Sequence, residues 1–198
     1  MPSIRSLVLG AALGAAVTAP AGAQGRTATP ADVAFMQGMI GHHAQALVMS
    51  ALVRERSAHP QLPLLAERIT VSQQDEIAIM RRWLEERHLP VPPIDSTGTA
   101  HAGHDAHARH GVAAAHAMPG MLTAAQLDSL SSASGRDFDR LFLQYMIQHH
   151  EGALAMVSQL LASRDAARDP MLFQFASDVD ADQRAEIRRM RSLLAALP

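Results

Sequence analysis

The feature that most constrains the fold is an internal repeat with a helical pattern. Residues 35–43 (Phe-Met-Gln-Gly-Met-Ile-Gly-His-His) line up with residues 142–150 (Phe-Leu-Gln-Tyr-Met-Ile-Gln-His-His). Residues 73–84 and 183–194 also match, and both read Gln-x-x-Glu-Ile-x-x-Met-Arg-x-x-Leu. A helical hairpin cannot bury its apolar face alone, so two hairpins are expected to pack together. The repeat therefore predicts an all-α, four-helix bundle with a pseudo-two-fold axis.

Helix-start and helix-stop signals divide the chain into the elements of these hairpins. Thr29-Pro30 and Asp169-Pro170 place an N-cap residue before a proline, which is favoured in the first helical turn. Thr123 is followed three residues later by Gln126, which is the pattern of a capping box. We expect helices over about residues 30–57, 61–88 and 134–164, a short helix opened at Thr123, and a last helix from Pro170 nearly to the C-terminus.

The N-terminal segment has the pattern of an export signal. Arg5 supplies a positive charge, residues 7–17 form a short apolar run, and residues 21–23 (Ala-Gly-Ala) fit a small-x-small cleavage site. We therefore predict a signal peptide over residues 1–23. The predicted location is the periplasm or the outside of the cell, and we expect no stable membrane insertion after cleavage.

A segment of different composition divides the rest of the chain. Residues 90–120 are rich in Pro, Gly, Ala and His, and we predict a flexible linker there. It separates a first hairpin, residues 24–89, from a second, residues 121–198. Either weak metal capture or a solvated low-complexity segment explains its histidines. These are His101, His104, His107, His110 and His116.

The kinds of metal ligand available to the chain are limited. It has no cysteine, but eleven histidines and eleven methionines. The absence of cysteine excludes disulfides, thiolate metal sites and cysteine nucleophiles. The formal net charge is −2 and no basic patch stands out in the sequence, so nucleic-acid binding is not expected. His and Met are therefore the side chains left for a soft or borderline metal.

A methionine and a His-His pair recur at matched positions of the two repeats. The two sets are Met39, His42 and His43 in the first copy and Met146, His149 and His150 in the second. Residues three or four apart share one face of a helix, with Cβ atoms about 5–6 Å apart. Each set can therefore chelate one metal ion. The apolar pattern places His43 and His150 in the bundle interior and His42 and His149 towards its edge.

Further candidate ligands lie outside these sets. Met49 is two turns, roughly 10 Å, from His42, so it is expected to serve a neighbouring site or to meet ligands from another helix. Met156 is its match in the second repeat. The second helix of each hairpin contributes Glu76 with Met80, and Glu186 with Met190. The two carboxylates are candidates either for metal binding or for accepting a hydrogen bond from an interior imidazole.

A mixed Met and His set favours copper. Thioether sulfur is soft and selects Cu(I), whereas imidazole suits Cu, Zn, Ni and Fe. Such a set can accept Cu(I), Cu(II) or both. Zinc is the second choice, because His and Glu satisfy it but Met adds little.

The order of these motifs resembles a known family. Met-Ile-x-His-His with a further Met six residues later, followed by Gln-x-x-Glu-Ile-x-x-Met on the next helix, is similar to the pattern of Domain of Unknown Function family 305. Residues 39–49 with 73–80, and residues 146–156 with 183–190, carry the resemblance. It implies an exported, ferritin-like four-helix bundle that binds copper through the matching Met and His positions. The second repeat has Leu143 where the first has Met36, and this difference weakens the case for Met36 as a ligand common to both repeats.

Three functional interpretations follow from these observations. The first is a protein that buffers, carries or sequesters copper and is not an enzyme. The second is an envelope interaction module or chaperone with no metal role, whose Met-rich faces serve packing or binding. The third is a di-iron oxidase, for which residues 85–88 (Glu-Glu-Arg-His) supply one Glu-x-x-His motif. A homodimer and an unknown envelope protein stay open as partners.

Overall fold

The structure, a computed structural model, describes residues 28–94 and 118–198. The predicted signal peptide and the linker histidines lie outside these residues. The described residues form an all-α structure. Its helices are α1 (Pro30–Ala51), α2 (Val53–Arg56), α3 (Leu62–Glu85), α4 (Ala124–Ser132), α5 (Gly135–Ala162) and α6 (Pro170–Ala196). None of the helices in the described ranges has the length and apolarity needed to cross a membrane.

The helices begin where the capping signals predict. Thr29 and Asp32 form a capping box at the start of α1, with each side chain accepting a hydrogen bond from the other residue's backbone N–H. Thr123 and Gln126 do the same for α4. The predicted helix over residues 30–57 is divided at Leu52 into α1 and α2. The predicted helix 61–88 ends at Glu85.

The long helices pack as a bundle through one central contact. Helix α1 packs against α3, α5 packs against α6, and α1 packs against α5. His42 of α1 lies beside His149 of α5, and Asp32 near the start of α1 reaches Ala167 beyond the end of α5. Helices α1 and α5 therefore run antiparallel, and their contact joins the two hairpins.

Buried apolar side chains form two clusters, and each cluster draws on both hairpins. The first, the Trp83 cluster, includes Phe35, Met36, Met39, Met80, Trp83, Met156, Leu160, Leu172 and Phe175. The second, the Phe142 cluster, includes Met49, Leu62, Ile69, Phe138, Phe142, Met146, Met190 and Leu193. Because α1 and α5 are antiparallel, the clusters occupy opposite ends of the central contact. The four histidines of the repeats lie between them.

Two buried aspartates join the hairpins at the ends of the bundle. Asp32 is 3% exposed, and one of its carboxylate oxygens accepts a hydrogen bond of 2.7 Å from the backbone N–H of Ala167, in the turn before α6. Asp139 is 1% exposed and accepts a hydrogen bond of 2.5 Å from the hydroxyl of Ser57, in the turn before α3. Each aspartate thus holds the turn of the other hairpin.

Replacing Asp32 by Ala should lower the free energy of unfolding by about 2–3 kcal/mol, because it removes one of the two hydrogen bonds of the capping box and leaves the Ala167 N–H buried without a partner. Urea unfolding followed by circular dichroism measures this. The matched control is Asp75→Ala at an exposed position of α3. Equal unfolding midpoints for the two variants would contradict the role of Asp32.

Candidate metal centre

The four histidines of the two repeats meet where α1 crosses α5. The rings of His42 and His149 lie 3.9 Å apart between centroids, with their planes at 38°. His43 follows on one side, 6.3 Å from His42, and His150 follows on the other, 6.2 Å from His149. Each imidazole therefore neighbours the next, and this set of four, called here the histidine row, connects one hairpin to the other.

All four imidazoles are buried. His42 and His43 are 0% exposed, His149 is 1% exposed and His150 is 0% exposed. The prediction that His42 and His149 lie at the edge of the bundle is therefore wrong. Each lies at the edge of the apolar face of its own hairpin, but that edge is covered by the other hairpin.

The two outer histidines are held by carboxylates of the neighbouring helices. The Nε2–H of His43 donates to Glu76 on α3, and the Nε2–H of His150 donates to Glu186 on α6 at 2.6 Å. The second oxygen of Glu76 accepts a hydrogen bond of 3.0 Å from the hydroxyl of Ser72. A carboxylate in this position fixes the tautomer and orientation of an imidazole and leaves its Nδ1 free.

One inner histidine is held by a backbone carbonyl instead. Nε2 of His42 lies 3.0 Å from the carbonyl oxygen of Pro119. A carbonyl can only accept a hydrogen bond, so Nε2 of His42 carries the proton and Nδ1 carries the lone pair.

Each of the four imidazoles keeps one buried nitrogen without a hydrogen-bond partner in the described part of the chain. These atoms are Nδ1 of His42, Nδ1 of His43, Nε2 of His149 and Nδ1 of His150. A buried polar atom without a partner costs about 1–3 kcal/mol. Four such nitrogens in adjacent side chains indicate a site shaped for a ligand that accepts lone pairs.

Burial keeps the inner imidazoles neutral. Burial, and secondly the charge of His43, lowers the pKa of His42 to about 3. Burial, and secondly the charge of His42, holds the pKa of His149 well below its usual range. Burial alone would raise the pKa of Glu76, but the hydrogen bond and charge of His43 outweigh it and leave this pKa below its usual range. Near pH 7 the inner imidazoles therefore keep their lone pairs and Glu76 is ionised.

The candidate methionines form one group on each side of the histidine row. The Trp83 cluster holds Met39, Met80 and Met156, and the Phe142 cluster holds Met49, Met146 and Met190. In each group two residues come from one hairpin and the third from the other. His43 on α1 pairs with Glu76 on α3, and the two helices are antiparallel. Met39 lies four residues before His43 and Met80 four residues after Glu76, so both methionines lie at the same height, one turn from the row.

The segment of residues 118–122 closes the groove between α1 and α5 above the row. Leu122 exchanges two hydrogen bonds with the buried side chain of Gln45, at 2.7 and 3.1 Å. A Cβ on Gly152 would lie 2.0 Å from the carbonyl oxygen of Pro119, and one on Gly120 would lie 2.6 Å from that of Gln148. This segment, called here the strap, therefore requires glycine at both positions. Residues 118–120 lie within the range predicted as a flexible linker, so that prediction is wrong for these three residues, which are packed against α1 and α5.

Several residues of the site were not predicted from the sequence. Gln73 and Gln183 are each 1% exposed, and each has a side-chain oxygen without a partner in residues 28–94 and 118–198. Their match in the repeat is visible in the sequence, but an amide is not a typical ligand for a soft metal. The Pro119-Gly120 dipeptide is a turn signal within the range predicted as linker, and it marks the strap.

The predicted carboxylate ligands do not combine with the histidines into a cage. Across the two described ranges, no three His, Asp or Glu side chains are grouped so that they could hold a metal ion. The thioethers beside the histidines are the further soft donors available to a metal bound there. The Glu-x-x-His motif considered for a di-iron site is exposed at Glu85 and His88, at the end of α3.

Comparisons with known proteins relate the chain to one family. The family model described as "Domain of unknown function (DUF305)" matches residues 32–194. Among curated proteins, "Uncharacterized protein L153" of Acanthamoeba polyphaga mimivirus is 41% identical over 58 residues. The match spans 29% of this chain and only 38% of the length of that relative.

Solved structures similar to the chain include other proteins of this family. A DUF305 fragment from Deinococcus radiodurans is 33% identical, with a TM-score of 0.67 over 86% of this chain and 99% of that one. A putative secreted DUF305 protein from Streptomyces coelicolor is 29% identical, with a TM-score of 0.66 over 83% and 91%. CopM in its Cu(II)-bound form is 28% identical, with a TM-score of 0.61 over 83% and 95%. CopM is also known in Cu(I)-bound and Ag-bound forms.

The metal-free protein should lose stability as the pH falls from about 6.5 towards 4.5. In this range the unfolded chain binds protons at His42 and His149 while the folded chain does not, so unfolding takes up protons. The free energy of unfolding should then fall by up to about 1.4 kcal/mol per pH unit for each of the two imidazoles. Denaturant titrations over this range measure the slope. The same slope in His42→Gln/His149→Gln would show that these residues are not its cause.

Replacing Gly152 by Ala should displace the strap, because the added Cβ would overlap the carbonyl of Pro119. We expect a loss of about 1–3 kcal/mol in stability and faster hydrogen exchange at the backbone N–H of Leu122. Hydrogen exchange followed by mass spectrometry measures the exchange rates of backbone N–H groups in both the strap and the helices. Gly38→Ala is the control, since its Cβ would meet only side-chain atoms, at 3.4 Å. Unchanged exchange in Gly152→Ala would refute the tight contact.

Proposed function

Since the chain belongs to the DUF305 family, we propose that it is an exported protein that binds copper through His and Met side chains and buffers, carries or sequesters the metal. The observation that carries this proposal is the histidine row, with one unpartnered nitrogen on each of four buried imidazoles. A protein gains nothing in stability from such atoms unless a ligand binds them.

The donor set fits a soft or borderline metal. The row supplies imidazole nitrogens, and the two methionine groups beside it supply thioether sulfurs. Thioether and imidazole together suit Cu(I), and imidazole alone suits Cu(II) and Zn(II). CopM, whose structure is similar, is named in Cu(II)-bound, Cu(I)-bound and Ag-bound forms. Copper is therefore the metal proposed here, with zinc as the weaker competitor.

The carboxylates have a supporting role in this proposal. Glu76 and Glu186 accept hydrogen bonds from His43 and His150, so they orient the imidazoles and increase the basicity of the opposite nitrogen. Metal then binds at Nδ1 of these histidines, and the carboxylates stay outside the ligand set.

Negative charge around Glu76 favours the approach of cations. Burial, and secondly the charge of Glu76 and then of Glu186, raises the pKa of Asp182. These carboxylates are close enough to repel one another, which is characteristic of a surface that attracts positive ions.

Holding metal, rather than turning over a substrate, is the activity proposed. The exposed position of Glu85 and His88 gives no support to a di-iron oxidase. We also propose that the bundle is ferritin-like and arose from two repeated hairpins. The His43–Glu76 and His150–Glu186 pairs at matched positions support the repeat. The similarity to a putative secreted protein supports export.

Copper binding should depend on the histidine row and not on the linker. The mature chain from Gln24 is freed of metal and titrated with Cu(I) and Cu(II) against a competing chelator. His43→Gln/His150→Gln should weaken binding at least as much as Glu76→Gln/Glu186→Gln, for which about 10–100-fold is expected. His59→Gln, at a histidine outside the row, is the control.

A deletion variant that lacks residues 96–116 and keeps the strap separates the two sets of histidines. Retained tight binding in this variant supports a site in the bundle. Binding that disappears with the deleted residues would mean that the linker histidines, not the row, hold the metal. Absence of binding in the full mature chain would reject the metal role and favour an envelope interaction module.

A further inference from the structure

The strap brings an additional thioether to the side of the histidine row that faces the Trp83 cluster. A Cβ placed on Gly38 would lie 3.4 Å from Sδ of Met118 and 3.4 Å from the terminal methyl of Met156. Both methionine side chains therefore border the notch left by Gly38. Met118 comes from the strap, whereas Met156 comes from α5 and is only 8% exposed.

The matched position of the second repeat differs. There the repeat has Tyr145 in place of Gly38, and its ring packs against the Phe142 cluster. The notch at Gly38 is therefore a feature of the first repeat. Packing alone would be satisfied by any apolar side chain of similar volume, and the strap supplies a thioether.

An imidazole with a free nitrogen lies next to this notch. His42 is four residues after Gly38, and helical side chains lean towards the N-terminus, so the ring lies over the turn that contains Gly38. Its Nε2 is bonded to Pro119, the residue that follows Met118. Its Nδ1 is fully buried and has no partner in the described part of the chain.

We propose that Met118, Met156 and the inner histidine His42 form a separate site for a soft monovalent cation, Cu(I) or Ag(I), on the side of the histidine row that faces the Trp83 cluster. Two thioethers and one imidazole are a donor set that prefers a soft, low-charge ion to Cu(II) or Zn(II). The site rests on the proposed metal-binding function and extends it. It makes the two repeats unequal, because Tyr145 fills in the second repeat the place of the notch at Gly38.

The site also connects the strap with the bound ion. Pro119 holds the proton-bearing nitrogen of His42, and Met118 would contribute a ligand one residue earlier. An ion at this site therefore joins the strap to α1 and α5 by three bonds to sulfur and nitrogen. Binding should then protect the strap from hydrogen exchange, and the same ion bound elsewhere in the row would not.

The test uses Met118→Leu, which keeps the volume but removes the sulfur. Affinities for Cu(I) and Ag(I) are measured on the full mature chain by competition with a chelator, and those for Cu(II) in parallel. The control is Met121→Leu, a substitution of the same kind three residues further along the strap. Thermal melting checks that both variants fold.

We expect Met118→Leu to weaken the binding of one Cu(I) or Ag(I) ion by at least about tenfold and to leave the affinity for Cu(II) near that of the unsubstituted chain. The X-ray absorption spectrum of bound Cu(I) should show one sulfur neighbour fewer. Met121→Leu should behave like the unsubstituted chain. If Met118→Leu binds Cu(I) and Ag(I) as tightly as Met121→Leu does, the proposed site is overturned, whereas the proposal for the histidine row is unaffected. Failure of the unsubstituted chain to bind either oxidation state would instead reject the proposed function itself.

Discussion

The contact between α1 and α5 is the interaction on which the rest of the structure depends. It joins the two hairpins, separates the Trp83 cluster from the Phe142 cluster and buries four imidazoles between them. Burial keeps His42 and His149 neutral, and neutrality is what makes a buried nitrogen lone pair available to a metal. A looser contact would admit water, solvate these nitrogens and remove the chemical reason for a soft ion to bind.

Much of this arrangement was predictable, because the signals are local. Thr29, Thr123 and Asp169 are cap residues, and the duplicated pattern of Met, His and Glu identifies both hairpins. The match of Glu76 with Glu186 identified both carboxylates, but it left open whether they bind metal or accept a hydrogen bond from an interior imidazole. These features depend on the spacing of residues within one helix or on comparison of two copies of one motif.

The remaining features depend on contacts between distant parts of the chain. The burial of His42 could not be predicted from the apolar face of its own hairpin, because the other hairpin covers it. The strap was not predicted because residues 118–120 share the composition of the predicted linker, and only the close approach of Gly120 to Gly152 distinguishes them. The pairing of Asp32 and Asp139 with the opposite turns was not predicted either, although each lies three residues before a matched phenylalanine.

The aspartate contacts at the two ends of the bundle have a kinetic consequence. Asp32 holds the turn of the second hairpin and Asp139 holds the turn of the first, so neither hairpin can swing open about its own turn without breaking a contact made by the other. Separation of α1 from α5 then breaks both contacts together, as one cooperative opening. An ion enclosed between these helices would leave slowly by itself, and rapid release would require a recipient molecule that reaches the ligands while the bundle stays closed.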